Sequence, residues 1–180
     1  EDKEMSEQNG EIGNDFSENV AKDWENTFFK TETPLTIKTA MRTSIVLGKN
    51  GGAFLPLKKL TQLGFGGKQG NGNQFISWIH EKDFARALEF ILKNKIKGIV
   101  NIVAPNPVTN SEFMCTLKKA LNVPIAIPTP KSLLKFGAFL ISTEAELVLK
   151  SRNVVPERLL QQGYSFDYDE IRDAFKQLLS

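Results

Sequence analysis

Two short apolar runs on either side of an amphipathic helical pattern constrain the fold of this 180-residue chain most strongly. The first run, Phe75–Ile79, has the pattern of an extended segment, and the second, Ile99–Val103, is β-branched and precedes a proline. Between them Asp83 is suited to cap a helix. The inward positions of that helix are Phe84, Leu88, Ile91 and Leu92. A strand, a helix and a strand in this order are typical of α/β proteins with a parallel sheet.

Other apolar patterns extend this alternation along the chain. Large apolar residues at every fourth position predict a helix from Asp15 to Phe29, with the stripe Phe16, Val20, Trp24 and Phe28 packed in the core. Alternating residues before Gly48 predict a strand, and a capping box at Thr109–Glu112 predicts the start of a helix. The remaining predicted elements are a helix at Phe54–Leu63, a strand at Val123–Ile127, helices at Ser132–Ile141 and Thr143–Lys150, a turn at Pro156–Leu160, and a helix from Tyr168 or Asp169 to Leu179.

Charge and cysteine content exclude several classes of function. The chain has 23 Lys and Arg against 21 Asp and Glu, a formal net charge of +2, and its basic residues are dispersed. We therefore expect no nucleic-acid partner, since binding a phosphate backbone needs clustered positive charge. One cysteine, Cys115, and one histidine provide neither an internal disulfide nor a His/Cys metal cluster, so we expect no metal site and a reducing, cytoplasmic location.

Hydropathy gives no indication of a membrane partner, because no apolar run approaches the roughly 20 residues of a spanning helix. The acidic first residues lack the pattern of a signal peptide. Residues 1–14 are polar and contain two glycines, which predicts a flexible lead or loop.

A glycine-rich stretch, Gly64–Gly72, could bring backbone N–H groups close to a phosphate. It matches neither common phosphate-binding pattern. Gln69 stands where G-x-x-x-x-G-K-[ST] requires Ser or Thr, and also where G-x-G-x-x-G requires its third glycine. A mobile surface loop is the simpler interpretation, and a ligand-binding loop is the alternative.

Two side chains invite a chemical role that the apolar patterns do not explain. His80 titrates near neutrality, so it could act as a general base or hold a turn by hydrogen bonding. Arg42 lies in a strand-like segment, where its guanidinium needs a carboxylate, a phosphate or carbonyl groups, and an internal salt bridge is the simplest choice. Cys115 lies in a helical pattern and is interpreted as a core residue. The residues suggest no hydrolase constellation.

Four segments occur in an order that resembles a known family. They are Met41–Gly48, the glycine-rich stretch, Trp78–Asp83 and Gly98–Pro105. Together they resemble the extended short-chain dehydrogenase/reductases, the NAD-dependent epimerase/dehydratase superfamily. The likeness is nearest to the sugar-nucleotide-epimerase-like branch, which carries R-T-G-I-V-L-G and W-I-H-x-x-D segments. Val155–Phe166 is similar to the ending of that branch's C-terminal domain of unknown function.

The resemblance implies the C-terminal part of a Rossmann-like, doubly wound parallel sheet in residues 15–123. A small, mostly helical substrate lobe follows in residues 124–180. It also implies NAD or NADP as the cofactor of a complete protein, with an incomplete cofactor site here because the glycine fingerprint is lacking from these residues. The implied cofactor-binding residues are Arg42, Thr43 and Ser44. The implied substrate-binding residues are Gly67, Gln69, Gln74 and His80, and His80 with Asp83 would brace the junction between the two lobes.

The same resemblance leaves the catalytic residues unassigned. Active relatives carry Tyr-x-x-x-Lys on the helix that corresponds to Asp15–Phe29. Aligned on that helix, Phe16 takes the tyrosine position and Val20 the lysine position, with Lys22 or Lys30 as the alternatives for the lysine, and no tyrosine precedes Tyr164. Neither Phe16 nor Val20 transfers a proton.

Three functions are compatible with these observations. The first is the C-terminal part of an NAD(P)-binding epimerase-like oxidoreductase acting on a nucleotide sugar or another small carbonyl or hydroxyl compound. The second is a non-catalytic ligand-binding or protein-interaction module derived from that fold. The third is self-association into a homo-oligomer through an exposed sheet edge.

Overall fold

The computed structural model describes residues 3–128 and 150–180. Within these ranges the helices are α1 Phe16–Lys30, α2 Phe54–Leu60, α3 Glu81–Lys93, α4 Asn110–Ala120, α5 Glu157–Gln161 and α6 Ile171–Leu179. The strands are β1 Thr39–Thr43, β2 Ile45–Leu47, β3 Phe75–Ile76, β4 Trp78–His80, β5 Gly98–Ile102 and β6 Val108–Thr109. A π-helical turn, Thr61–Phe65, follows α2 directly and replaces the end of the predicted helix.

The longer strands pair in parallel. β1 pairs with β5, with Thr39 opposite Gly98, and β2 pairs with β4, with Ile45 opposite Trp78. The chain therefore changes its partner strand at Ser44, between β1 and β2. Helix α3 is the crossover from β4 to β5, and β3 and β6 form a short antiparallel pair. The α/β class with parallel strands, predicted as the C-terminal part of a Rossmann-like fold, is confirmed.

Two apolar clusters lie on opposite faces of the sheet, because successive residues of β4 point to opposite sides. Trp78 belongs to the cluster under α2, α4 and α6, and Ile79 to the cluster under α3 and α5. The larger members of the first cluster are Leu47, Phe54, Trp78, Phe113, Leu117 and Phe175. Those of the second are Ile79, Ile91, Val100, Ile102, Leu159 and Tyr164. Each fully buried side chain of this size contributes about 1.5–3 kcal/mol to the free energy of folding.

Helix α1 forms as predicted, but its apolar stripe does not lie in the core. The Glu18 carboxylate accepts a hydrogen bond of 3.0 Å from the N–H of Asp15, which completes the N-terminal cap. No residue of α1 is buried, and Phe16 and Trp24 are 85% and 73% exposed. The prediction of core packing for this stripe is wrong, since no described element covers it.

Four further sequence predictions differ from the structure, and the first is the core position of Cys115, which is exposed on α4. Helix α3 is capped by the side chain of His80 rather than by Asp83, and Leu92 is 77% exposed while Ala87 faces inward. Val123–Ile127 forms no strand. Its backbone instead serves the glycine-rich stretch, because the N–H of Ile127 donates to the carbonyl of Gly64 at 2.8 Å.

Residues 5–7 are hydrogen-bonded to the rest of the fold, so of the two alternatives predicted for residues 1–14 the loop fits them and the flexible lead does not. The N–H of Met5 donates to the Asn153 carbonyl at 2.8 Å, and the N–H of Val155 donates to the Met5 carbonyl at 2.9 Å. These bonds form a parallel bridge between Met5 and Val154, and Ser6 is buried beside it.

The helices predicted at Ser132–Ile141 and Thr143–Lys150 lie outside the described residues, apart from Lys150. The segment predicted as a turn at Pro156–Leu160 forms the short helix α5, and the predicted last helix is present as α6, which begins at Ile171. Among the described helices, none has the length and apolar character that crossing a membrane requires.

Candidate functional site

A cavity of about 700 Å³ opens where the chain changes its partner strand. Its lining comes from the carboxyl ends of β1 and β5, from the first residues and from the segment 150–154. The lining residues include Met5, Ser6, Glu11, Arg42, Thr43, Ser44, Ile45, Asn101, Val103, Lys150, Arg152 and Val154. In open α/β sheets ligands bind outside the carboxyl ends of the strands, at such a switch in topology.

Two of the three predicted cofactor-binding residues offer free polar groups at this cavity. Thr43 and Ser44 both line it, and Thr43 is exposed. The Ser44 hydroxyl is buried and makes no hydrogen bond with any described residue. Leaving a buried hydroxyl unpaired costs about 1–3 kcal/mol, so a ligand atom that bonds to Ser44 would recover that free energy.

Arg42, the third predicted cofactor-binding residue, lines the cavity with its charge already neutralised. Its Nε and Nη2 atoms each donate to a carboxylate oxygen of Glu25 on α1, both at 2.7 Å. This bidentate bond raises the pKa of the Arg42 guanidinium. The salt-bridge interpretation is confirmed, and the pair ties α1 to β1.

The start of α1 lies at the cavity wall. The Lys150 ammonium donates to Asp15 at 2.7 Å and to Glu18 at 2.5 Å. Hydrogen bonding to Lys150 lowers the pKa of both carboxyl groups. Since Lys150 lines the cavity, the helix end that carries Phe16 and Val20 stands beside it.

The described cavity lining contains no Tyr, His or Cys, and its groups able to transfer a proton are the Glu11 carboxylate and the Lys150 ammonium, which is paired with Asp15 and Glu18. The Tyr164 hydroxyl donates to the Asp83 carbonyl at 2.9 Å, and burial raises its pKa. Tyr168 stacks on His80 with ring centroids 4.0 Å apart. Both tyrosine side chains thus pack against the apolar clusters. The described residues also contain no group of three or more His, Cys, Asp and Glu suited to a metal ion.

The predicted substrate residues of the glycine-rich stretch are anchored to α4 rather than to the cavity. The N–H of Gln69 donates to the Asn110 side-chain oxygen at 2.7 Å, and the Asn110 amide donates back to Gln69 Oε1 at 3.0 Å. The Gln74 amide donates to the Gln69 carbonyl at 3.0 Å. At Gly67 an added Cβ would lie 2.6 Å from the Ile127 carbonyl, so only glycine fits there. These contacts disagree with a freely mobile loop.

His80, also predicted to bind substrate, is fully buried and does not line the cavity. Its Nδ1 accepts from the N–H of Lys82 at 3.0 Å, so the other ring nitrogen carries the proton. Nε2 then donates to Gln177 Oε1 on α6 at 2.8 Å. Burial lowers the pKa of the imidazole. Of the two roles considered for His80, the structure therefore supports holding a turn by hydrogen bonding.

Asp83 joins α3 to the tail through a buried carboxylate. One oxygen accepts from Arg86 at 2.7 Å and from the N–H of Asp167 at 3.0 Å, and the other accepts from the N–H of Tyr168 at 2.8 Å. His80 and Asp83 thus both contact residues 167–177, which is the bracing position that the resemblance implied.

Sequence reasoning missed the contributions of residues 5–12 and 150–154 to the cavity. No local pattern marks them, because these segments meet only through tertiary contacts. The Ser77 hydroxyl, for example, donates to the Arg152 carbonyl at 2.7 Å across a separation of 75 residues.

The chain resembles proteins of one family over nearly its whole length. It is 35% identical to mouse epimerase family protein SDR39U1 over 170 residues, which cover 92% of this chain and 56% of that protein. It is 33% identical to the chloroplastic SDR39U1 homologue of Arabidopsis thaliana, covering 96% of this chain and 49% of that protein. Residues 129–178 match the model of a domain of unknown function, DUF1731.

Solved structures of the same kind superpose on the chain. Human epimerase family protein SDR39U1 with NADPH has a TM-score of 0.88 at 32% identity, over 98% of this chain and 59% of that one. The nucleoside-diphosphate sugar epimerase of Corynebacterium glutamicum has a TM-score of 0.76 at 30% identity, over 99% of this chain and 34% of that one. The chain spans about half the length of the curated relatives it matches. Over nearly its whole length the chain is therefore similar to epimerase family proteins of the SDR39U1 type, and it matches their C-terminal domain of unknown function at residues 129–178.

Proposed function

We propose that the cavity is the strand-end wall of an NAD(P) site in an epimerase-like oxidoreductase. The observation that carries this proposal is the unpaired, buried Ser44 hydroxyl at the carboxyl end of β1. Thr43 and Ser44 would contact the nicotinamide end of the cofactor, and Arg42 would hold α1 against the strand. The human relative solved with NADPH supports NAD(P) as the cofactor.

The cofactor site needs residues that this chain does not supply. The glycine turn and helix N-terminus that bind a dinucleotide pyrophosphate belong to the first half of such folds, and the chain spans about half of its relatives. No described strand pairs with the outer edge of β1. We therefore propose that the remaining half of the fold adds its strands at that edge and completes the site.

The substrate is proposed to be a nucleotide sugar or another small carbonyl or hydroxyl compound, as the name of the Corynebacterium relative suggests. The substrate-binding role of Gly67, Gln69, Gln74 and His80 stays a prediction. The hydrogen bonds of Gln69 to α4 and of His80 to α6 support an indirect role, in which these residues stabilise the fold around the site.

Fluorescence titration tests the cofactor proposal. NADPH and NADH are titrated onto this chain alone and onto the chain co-expressed with the N-terminal half of a relative. We expect saturable quenching by at least one cofactor in the co-expressed sample and weaker binding in its Ser44→Val variant, which removes the hydroxyl. Ser111→Val, at an exposed position of α4, is the matched control. Absence of saturable quenching in the co-expressed sample would refute the proposal.

A non-catalytic binding module is the second candidate. It is favoured by Phe16 and Val20 at the positions of the family's Tyr and Lys and by the lack of Tyr or His among the described cavity residues. In this case the completed protein binds the cofactor but turns over no sugar nucleotide. Turnover that Ser44→Val abolishes would rule this candidate out.

Self-association and location are also proposed rather than established. An open β1 edge favours homo-oligomers of the isolated chain, which light scattering after size-exclusion chromatography would detect. The cytoplasmic location rests on cysteine usage, and the Arabidopsis relative is described as chloroplastic. Fluorescent tagging of the complete protein in cells tests the location.

A further inference from the structure

Three cationic side chains line the cavity, and two of them are already paired with carboxylates. Arg42 is bonded to Glu25, and Lys150 is bonded to Asp15 and Glu18. The third, Arg152, has a guanidinium that makes no hydrogen bond or ion pair with any residue in the described ranges. Glu11 also lines the cavity, yet no ion pair joins it to Arg152.

The backbone of Arg152 is fixed on both sides. Its N–H donates to the Phe75 carbonyl at 3.0 Å, and its carbonyl accepts from the Ser77 hydroxyl at 2.7 Å. The N–H of Phe75 in turn donates to the Ser151 hydroxyl at 3.0 Å. The backbone at Arg152 is therefore ordered before a ligand binds, so that binding has to order the side chain alone.

The surroundings of Arg152 strengthen any interaction with an anion. The residue is half-buried, and much of the cavity wall is apolar, including Ile45, Ile76, Val103 and Val154. Charge-assisted hydrogen bonds are stronger in such surroundings than in open water. The same cavity also contains the unpaired Ser44 hydroxyl, a second donor for an acidic group.

We propose that Arg152 binds the acidic group, a carboxylate or phosphate, of the substrate in this cavity. This inference rests on the proposed function for the location of the ligand and deepens it by naming the chemical class. An arginine fork matches two oxygens of either group, so both acids share one mode of recognition. A substrate bound in this way has its acidic end next to Arg152 and its reacting carbon toward Ser44, since both residues line the same cavity.

Isothermal titration of the 180-residue chain with malonate and, separately, with pyrophosphate tests the assignment. We expect saturable binding of at least one probe, weakened at least about tenfold in Arg152→Met, which is the loss expected for a charge-assisted hydrogen bond. Arg152→Lys should recover part of the affinity because it restores the charge without the fork. Arg172→Met, at an exposed position of α6, is the control and should bind as the unchanged chain does.

Circular dichroism of each variant shows whether the fold is retained. Equal affinity in Arg152→Met, an equal loss in Arg172→Met, or no saturable binding of either probe would overturn the assignment. NADPH titration of the co-expressed sample separates this inference from the proposed function. If Arg152→Met weakens NADPH binding while leaving the probes unaffected, the anion belongs to the cofactor and the substrate assignment is wrong. Loss of NADPH binding in the unchanged protein contradicts the proposed function instead.

Discussion

The two outer edges of the β1–β5 strand pair differ in whether their backbone N–H and C=O groups have hydrogen-bond partners. On the β5 side the N–H of Asn101 donates to the Glu7 carboxylate at 2.9 Å. The Arg158 guanidinium donates to the carbonyls of Ile99 and Lys97, at 2.8 Å for Lys97. On the β1 side no described strand pairs with the edge, and a groove of about 540 Å³ separates β1 from α1. Trp24 and Phe28 line that groove.

Side chains thus cap the backbone groups of the β5 edge, which we call the finished side, whereas no described strand pairs with the β1 edge, which we call the open side. Side chains that occupy edge N–H and C=O groups prevent further strands from adding, whereas parallel strands with an open, apolar edge are rare in complete proteins. The β5 edge is therefore a boundary of the fold. The β1 edge, with the exposed stripe of α1 beside it, is where we propose that the remaining half of the fold adds.

Replacing Asp83 should have the largest effect, because its carboxylate holds the tail on the finished side. Asp83→Ala leaves Arg86 and the backbone N–H groups of Asp167 and Tyr168 without their acceptor. We expect the free energy of unfolding in urea to fall by about 3 kcal/mol. Asp167→Ala removes the exposed partner of the same arginine and should cost no more than about 0.5 kcal/mol. Similar losses in the two variants would show that the buried carboxylate is not the main link.

Opening the finished edge should come next in size. Arg158→Met removes the donors to Ile99 and Lys97 while keeping much of the apolar stem. We expect a loss of about 2 kcal/mol in the free energy of unfolding and a rise in self-association seen by light scattering. Arg172→Met should change neither quantity measurably. If Arg158→Met stays as stable as the unchanged chain, the edge does not depend on this cap.

The pH dependence of stability tests His80 on the finished side. Burial lowers its folded-state pKa below the ordinary 6.5, so the unfolded chain binds more protons between the two values. The free energy of unfolding should be fully retained above pH 6.5 and should fall as the pH drops from there through the lowered pKa. His80→Asn keeps a capping side chain without titrating, and its urea midpoint should lack this decline. Parallel pH profiles of the two proteins would contradict the prediction.

The open side should show the smallest change in stability. Trp24→Glu places a charge on the exposed stripe of α1, and we expect the free energy of unfolding to change by less than about 0.5 kcal/mol. Binding of an apolar dye and self-association should both decrease, because the variant interrupts the apolar surface. Leu117→Ala, in the buried cluster, should instead cost about 3 kcal/mol. A large loss in Trp24→Glu would mean that the stripe is already covered.

Local patterns predicted most elements of the fold. The β-branched run of β5 and the start of α4 depend on neighbouring residues, and both elements are confirmed, with the Thr109 hydroxyl accepting from the N–H of Glu112 at the start of α4. The strand predicted at Val123–Ile127 failed because its backbone bonds to Gly64 and Gly67, far away in the sequence. Periodicity also identified α1 correctly and its environment wrongly, since an apolar stripe does not reveal whether its partner lies in the same chain.

The candidate site was predicted only in part. The resemblance led to Thr43 and Ser44, which the structure brings to the cavity. It gave no reason to select Arg152 or the segment around Met5. Their position depends on the Ser77 hydroxyl and on the bridge to Val154, and such long-range contacts leave no periodic trace in the sequence.

The Glu7 carboxylate has a consequence for how the molecule unfolds. Besides the N–H of Asn101, it accepts a hydrogen bond of 3.4 Å from the N–H of Arg158, 151 residues further along the chain. The beginning, the middle and the end of the sequence thus meet at one carboxylate. Fraying of either terminus removes protection from the same strand, so amide hydrogen exchange in β5 should report on both ends as a single cooperative unit.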